Sequence, residues 1–147
     1  MTRICTIGYT QKTLERFIHL LQEAGVDAVI DIRLRNTSQL AGFAKREDLA
    51  FLLRELLGIE YEHHPELAPT PEILNGYRAN KDWAAYEEAF RPLLVERQIA
   101  TIGQELMDRY NRPCLLCAEP TPDRCHRRLV TEFWSENLIE VEVVHLV

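Results

Sequence analysis

A thiol, a carboxylate, an imidazole and a guanidinium fall close together in the last third of the chain, at Cys117, Glu119, Cys125, His126 and Arg127. A thiol beside an imidazole can act as a nucleophile with its own base, a carboxylate can move protons, and a guanidinium can hold an anion. Cys117 ends the apolar run Arg112-Pro-Cys-Leu-Leu-Cys117, which reads as a buried strand leaving its sheet. Side chains alternate along a strand, so Cys114 and Cys117 point to opposite faces. A Cys-x-x-Cys metal knuckle needs a turn that Leu115-Leu116 does not supply, and a thioredoxin-type pair opens a helix instead. Cys114 is therefore read as a core residue.

Thr121-Pro122 predicts a cap and first turn, opening a helix to about Glu136. At 100° per residue, Leu129, Val130 and Phe133 define its buried face. His126 lies near the centre of that face, Cys125 on its flank, and Arg127 and Arg128 on the more exposed side. His126 then points at the sheet end that carries Cys117 and Glu119. The free amides of a first turn favour an anion and lower the pKa of a nearby thiol. Two plainer readings stand beside this one: a hydrogen-bonded core histidine, and a Glu119 that only partners Arg124 or Arg127. The stretch from Cys117 to Arg124 is one residue longer than a cysteine phosphatase loop and contains Glu119, which would repel a phosphate dianion. A phosphatase is excluded.

Other candidates lie further upstream. Asp31 and Arg33 are two apart and share a face, as substrate contacts or as an ion pair that orients the following basic loop. Gly8 permits close backbone approach, Tyr9 can stack or donate its hydroxyl, and Thr10 adjoins both. Gly8, Tyr9, Thr10, Asp31, Arg33, Arg124, Cys125 and Arg127 are the expected substrate-binding residues. Cys117, Glu119 and His126 are the expected catalytic ones. His63 and His64 could join Cys117 or Cys125 on a metal, but adjacent histidines seldom reach one ion and the spacing fits no common zinc pattern. Neither a metal nor a cofactor is expected. Trp83, Tyr86 and Phe90 recur at helical spacing and are read as packing.

The elements that must position these groups alternate along the chain. Arg3–Gly8 reads as a strand, and Thr10 as the cap of a helix carrying Leu14, Phe17, Ile18 and Leu21 that Gly25 ends. A strand at Val26–Asp31, a helix at Glu47–Leu57 and a strand at Ile59–His63 follow. A short helix is expected over Glu72–Tyr77, then helical pattern from Lys81 to Tyr110 that Pro92 should kink or divide. The strand ending at Cys117, the helix after it and a last strand at Val141–Val147 complete the order. This order predicts an α/β fold: an open, mostly parallel five-stranded sheet with helices on both faces, a Rossmann-like three-layer arrangement, in one domain spanning 1–147. Ligands in such folds bind beyond the carboxyl ends of the strands. Those ends are Gly8-Tyr9-Thr10, Asp31-Ile32-Arg33, His63-His64 and Cys117-Ala118-Glu119, where the chemically interesting residues cluster.

The bulk properties narrow the class. At 147 residues with 46% hydrophobic and 27% charged residues, the chain can bury a full core. No apolar run has signal-peptide or membrane-span form, so a cytoplasmic protein with reduced thiols and no membrane partner is expected. A net charge of −6 argues against a general grip on duplex nucleic acid. Seven of the seventeen basic residues nonetheless sit in two short stretches: Arg33, Arg35, Lys45 and Arg46, with no acid among them, and Arg124, Arg127 and Arg128. They could line a pocket for a small anion or be scattered surface charge.

Thr6-Ile-Gly-Tyr-Thr10, Asp31-Ile-Arg33, and Leu115-Leu-Cys-Ala-Glu119 followed by Cys125-His-Arg127 resemble the domain-of-unknown-function 488 family. The resemblance runs over essentially the whole chain to Val144-His145-Leu146, and its most specific part is the Cys117-x-Glu119 element with Cys125-His126-Arg127 at that separation. Where many relatives have a proline-containing Ser-Arg stretch after the Asp-x-Arg element, this chain has Asn36-Thr-Ser-Gln-Leu40, which points to a subfamily. The family brings no settled activity; the resemblance implies a fold and a site location rather than a reaction.

The leading expectation is an enzyme acting on a small anionic substrate, nucleotide-like ones included. Cys117 or Glu119 would be nucleophile or base and His126 would transfer protons. A nucleic-acid or partner-binding module using the 33–46 loop is the competing reading, disfavoured by the negative net charge. A thiol redox switch using Cys117 and Cys125 is a third. Oligomeric state is not legible from the chain.

Overall fold

Five extended segments, Thr2–Gly8 (β1), Ala28–Asp31 (β2), Glu60–His63 (β3), Pro113–Cys117 (β4) and Val141–Leu146 (β5), form one sheet in a computed structural model that describes residues 2–147. Every pairing is parallel, and the strand order is β3-β2-β4-β1-β5. The four residues of β2 and the five of β4 are all buried, as a parallel sheet covered on both faces requires. The covering helices are Leu14–Glu23 (α1), Arg46–Leu57 (α2), Pro71–Asn80 (α3), Trp83–Glu96 (α4), Ile99–Arg109 (α5) and His126–Asn137 (α6). Among the described residues no helix is long and apolar enough to cross a membrane.

Alternation along the strands sorts the core into two halves. Cys5, Ile7, Val29, Cys114 and Leu116 pack with Phe17 and Leu21 of α1 and Leu49 and Leu53 of α2. Ile4, Ile30 and Leu115 face the other way, against Phe90 and Leu94 of α4, Ile99 and Leu106 of α5, and Trp134 of α6. Each fully buried aliphatic or aromatic side chain contributes roughly 1.5–3 kcal/mol of transfer free energy. The result is a three-layer α/β fold with an all-parallel sheet. Cys114 lies in the half beneath α1 and α2, and Cys117 faces the opposite side, as strand alternation requires.

The connectivity has a switch point between β1 and β4. From β1 the chain passes through α1 toward β2, while from the adjacent β4 it passes through α6 in the other direction, over β1, to β5. Helices α1 and α6 lie on opposite faces of the sheet. Neighbouring strands whose connections part in this way leave a gap beyond their carboxyl ends. Gly8 and Cys117, which pair in register, are the last residues of these two strands.

Several element boundaries differ from sequence expectation, each for a physical reason. Thr13 rather than Thr10 caps α1, its Oγ1 accepting from Arg16 N at 3.1 Å, because the Thr10 hydroxyl is spent on Ala118 O at 2.7 Å. Pro92 does not divide its helix. It is exposed, as is Glu88 one turn earlier, so solvent can serve the carbonyl that proline leaves without a donor. The break falls instead at Gln98, which has φ +54° and caps α5. Helix α6 begins at His126 rather than just after Pro122. Arg127 donates to Glu119 O and Lys12 to Pro120 O, and these tertiary contacts hold the preceding loop out of helical form.

Packing between α5 and α6 depends on one small residue. A Cβ added to Gly103 would lie 2.6 Å from the Trp134 ring, whose Nε1 donates to Ile99 O at 2.9 Å. Gly103→Ala should therefore destabilise the protein by about 1–3 kcal/mol through overpacking, although alanine is intrinsically about 1 kcal/mol better in a helix. Urea midpoints of the two proteins measure this, and a midpoint equal to or above the parent's would contradict the packing argument.

Candidate functional site

The end of β1 and the exit of β4 are laced together. Tyr9 N donates to Cys117 O at 3.3 Å, and Thr10 donates to Ala118 O from both its backbone N, at 3.1 Å, and its hydroxyl, at 2.7 Å. Glu119 crosses so close to Gly8 that a Cβ there would sit 1.6 Å from Glu119 O. No side chain fits, and glycine is required for the β4 exit to lie across β1. Lys12, from the same loop, reaches Pro120 O at 3.5 Å.

The start of α6 completes the cluster. Cys125 caps the helix in extended conformation, φ −140° and ψ 140°, and His126 is the first helical residue. His126 Nε2 lies 2.7 Å from Ile32 O. A carbonyl oxygen only accepts, so Nε2 carries the hydrogen, and Nδ1 is the nitrogen left to give or take a proton on the other side. That Nδ1 is 3.5 Å from Cys117 Sγ. Phe90 of α4 packs edge-on against the ring with centroids 5.8 Å apart.

Cys117 differs chemically from the other thiols. Cys125 donates to its sulfur, and with the backbone N–H groups of Ala118 and Glu119 and the charge of Arg127 this outweighs burial and holds the thiol below its ordinary pKa. Burial pushes Cys5 up, and pushes Cys114 and Cys125 well up. All four are free thiols. Cys117 is also the least buried of them, at 7% exposure.

Arg127 is fully buried, against the expectation that it would sit on the exposed side of its helix. Because α6 crosses over β1 on its way from β4 to β5, the face carrying Arg127 meets the sheet. The guanidinium donates from Nε to Thr6 Oγ1 at 3.2 Å, and from Nη1 to Glu119 O at 2.5 Å and Cys125 Sγ at 3.8 Å. None of these acceptors is a carboxylate, and Nη2 has no hydrogen-bond partner among the described residues. The Thr6 hydroxyl also lies 2.6 Å from His145 Nδ1. Burial and the charge of Arg127 hold that imidazole below its ordinary pKa.

Asp31 and Arg33 make a different kind of centre. Arg33 grips the Asp31 carboxylate through Nε and Nη2, each at 2.8 Å, and through its backbone N at 3.1 Å. Tyr61 and Asn36 donate to the same group at 2.5 and 3.1 Å. Arg33 Nη2 also reaches Ala44 O at 2.8 Å, which ties down the basic loop. Both charges are satisfied within the protein, and Tyr9 lies 5.3 Å from the guanidinium. The remaining candidates spread outward. Glu119 has an exposed side chain and joins the cluster through its backbone, and Arg124 is exposed. Arg128 pairs with Glu132 at 3.1 Å. His63 Nε2 contacts Arg33 O at 2.9 Å, and His64 lies between Glu62 and Glu66, so neither joins Cys117.

Sequence reading missed Lys12, Thr6, Tyr61 and the Ile32 carbonyl. Lys12 could have been found from its place just past a strand end. The carbonyl had no signal, because every residue has one.

Fold and site together define a class: an all-parallel α/β protein with a buried Cys-His-Arg group at the point where its chain connections part. Within that class, the chain belongs to the family described as Domain of unknown function DUF488, whose model matches residues 13–134. The match contains Asp31-Ile-Arg33 and Cys117 through Arg127, while Thr6–Thr10 and β5 lie outside it. No curated protein and no solved structure matches the chain.

Burial by itself would raise the Asp31 carboxyl, but the hydrogen bonds and charge of Arg33, with the Tyr61 hydroxyl, leave it below its ordinary pKa. A depressed folded pKa contributes stability that is present above the unfolded value of about 3.9 and is lost as pH falls below it toward the folded value. Asp31→Asn should cost about 3–5 kcal/mol at neutral pH, because Arg33 stays buried without a counter-charge. It should also flatten the loss of stability on the acid side. Urea unfolding from neutral to acidic pH tests both, and a neutral-pH loss under about 1 kcal/mol would contradict a buried pair that depends on both partners.

Proposed function

We propose that this protein is an enzyme acting on a small anionic substrate with Cys117 as its nucleophile. The observation that carries the reading is His126, anchored through Nε2 to Ile32 O with its other nitrogen 3.5 Å from the Cys117 sulfur. In the proposed step the Cys117 proton passes to His126 Nδ1 as sulfur bonds to an electrophilic atom of the substrate. The imidazolium then returns that proton to the leaving group as its bond breaks. The N–H groups of Ala118 and Glu119 and the charge of Arg127 favour negative charge on sulfur.

The anionic character of the substrate is supported by Arg127, a buried guanidinium whose Nη2 has no partner among the described residues and whose acceptors include no carboxylate. A charge so placed is costly until an anion approaches it. Gly8, Tyr9, Thr10 and Lys12 form the facing loop in this reading, and Arg124 adds exposed positive charge. Asp31 and Arg33 act indirectly, by holding the 33–46 loop. Glu119 contributes its backbone, which leaves the nucleophile's role to Cys117. With Arg33 buried in its ion pair, the basic loop lacks one of the four cations on which a nucleic-acid contact would draw.

Alkylation with two reagents of similar size and different charge tests the proposal without knowledge of the substrate. Iodoacetate should modify Cys117 before the other thiols. The iodoacetate-to-iodoacetamide rate ratio at Cys117 should exceed that of free cysteine at least tenfold, about 1.4 kcal/mol of anion preference. His126→Gln and His126→Ala should each slow both reagents about a hundredfold, with circular dichroism reporting the fold. A ratio equal to that of free cysteine would remove the anion site. Unchanged rates in folded His126 variants would remove the nucleophile–base pair.

A further inference from the structure

The geometry points to a binding site for a thiophilic divalent cation of the zinc class, formed by Cys117 Sγ, Cys125 Sγ and His126 Nδ1, with one coordination position left open. The three ligand atoms lie within 4.8 Å of one another and all three residues are buried. A tetrahedral zinc ion, with metal–sulfur distances of about 2.3 Å and metal–nitrogen distances of about 2.0–2.1 Å, requires sulfur and nitrogen ligands about 3.6 Å apart. Cys117 Sγ and His126 Nδ1 are 3.5 Å apart.

The surroundings match what such a site needs. Ligating imidazoles almost always donate their second N–H to a carbonyl or carboxylate, which fixes the ring and aims the other lone pair. His126 does this through Nε2 to Ile32 O at 2.7 Å. Arg127 Nη1 reaches Cys125 Sγ at 3.8 Å, so a positive charge stands behind the second sulfur once its proton is displaced. Two thiolates neutralise a divalent ion, and binding releases the thiol protons. Two sulfurs and one nitrogen suit zinc rather than magnesium or calcium, which take oxygen ligands. Neither the Cys-x-x-Cys spacing nor the His63-His64 pair enters this set, which joins a strand end to a helix start.

A bound ion takes the sulfur that the proposed reaction needs free, so loading would switch that reaction off. This consequence rests on the proposed function. Cation binding itself does not.

Cobalt titration of the full chain under reducing conditions tests the site. One Co²⁺ per chain should bind and give thiolate-to-cobalt charge-transfer absorption together with the strong visible bands of tetrahedral coordination. Cys125→Ser should roughly halve the charge-transfer intensity, His126→Ala should weaken binding at least tenfold, and Cys114→Ser should leave the spectrum unchanged. Should a variant fail to fold, alkylation of the parent protein with and without stoichiometric Zn²⁺ gives an independent reading. Zinc should slow modification of Cys117 and Cys125 at least tenfold and leave Cys114 unaffected. A folded parent protein with no charge-transfer band, or zinc that protects neither Cys117 nor Cys125, would overturn the site. Metal binding without anion-selective alkylation of the metal-free protein would leave the site standing and sink the enzymatic reading, and the reverse pattern would do the opposite.

Discussion

Arg127 carries a permanent positive charge into a fully buried position where its acceptors are a threonine hydroxyl, a main-chain carbonyl and a sulfur. Such a charge must recover by hydrogen bonding most of what it loses in hydration. The groups that satisfy it belong to three separate segments: Thr6 in β1, Glu119 in the loop leaving β4, and Cys125 at the start of α6. The guanidinium is therefore a joint. It holds the loop out of helical form, fixes where α6 begins, and so sets the position of His126 relative to Cys117. Its Nη2 is buried with no hydrogen-bond partner among the described residues, and the guanidinium charge favours the thiolate form of Cys117.

The two buried arginine centres differ in this respect. Arg33 meets a carboxylate in bidentate geometry, and Asn36 and Tyr61 fill the remaining capacity of Asp31. That centre is closed, and its charges cancel inside the protein. It anchors the loop after β2 and fixes the end of the strand, next to the Ile32 carbonyl that holds the His126 ring. The Arg127 centre has no carboxylate among its acceptors, and its Nη2 has no partner among the described residues. One buried guanidinium is thus matched by a full counter-charge, and the other is held by neutral acceptors alone.

Glycine at position 8 is the steric counterpart of this electrostatic joint. The Glu119 carbonyl approaches so closely that only a hydrogen fits between the two chains. The lacing of Tyr9 and Thr10 to the Cys117 and Ala118 carbonyls would be lost if β1 and β4 stood further apart. Chain connectivity sets the ends of β1 and β4 side by side, and a missing side chain lets them come within hydrogen-bonding distance.

The alternation of strands and helices, the five-stranded parallel sheet, the opposite facing of Cys114 and Cys117, and the collection of reactive side chains at strand ends were all determined by the sequence alone. They follow from periodicities of two and 3.6 residues and from the rule that parallel strands need crossovers. Hydrophobic periodicity also turned His126 toward the sheet. Tertiary structure decided what local pattern does not encode. It drew the Thr10 hydroxyl away from capping α1, let Pro92 remain inside a helix whose outer side meets solvent, and delayed the start of α6 by capturing the Glu119 and Pro120 carbonyls. It buried Arg127, because a helix that crosses β1 presents more than its apolar stripe to the sheet. It also chose the Ile32 carbonyl as the anchor of His126, a choice no residue type could announce, since hydrogen bonds between distant segments depend on where atoms lie after folding.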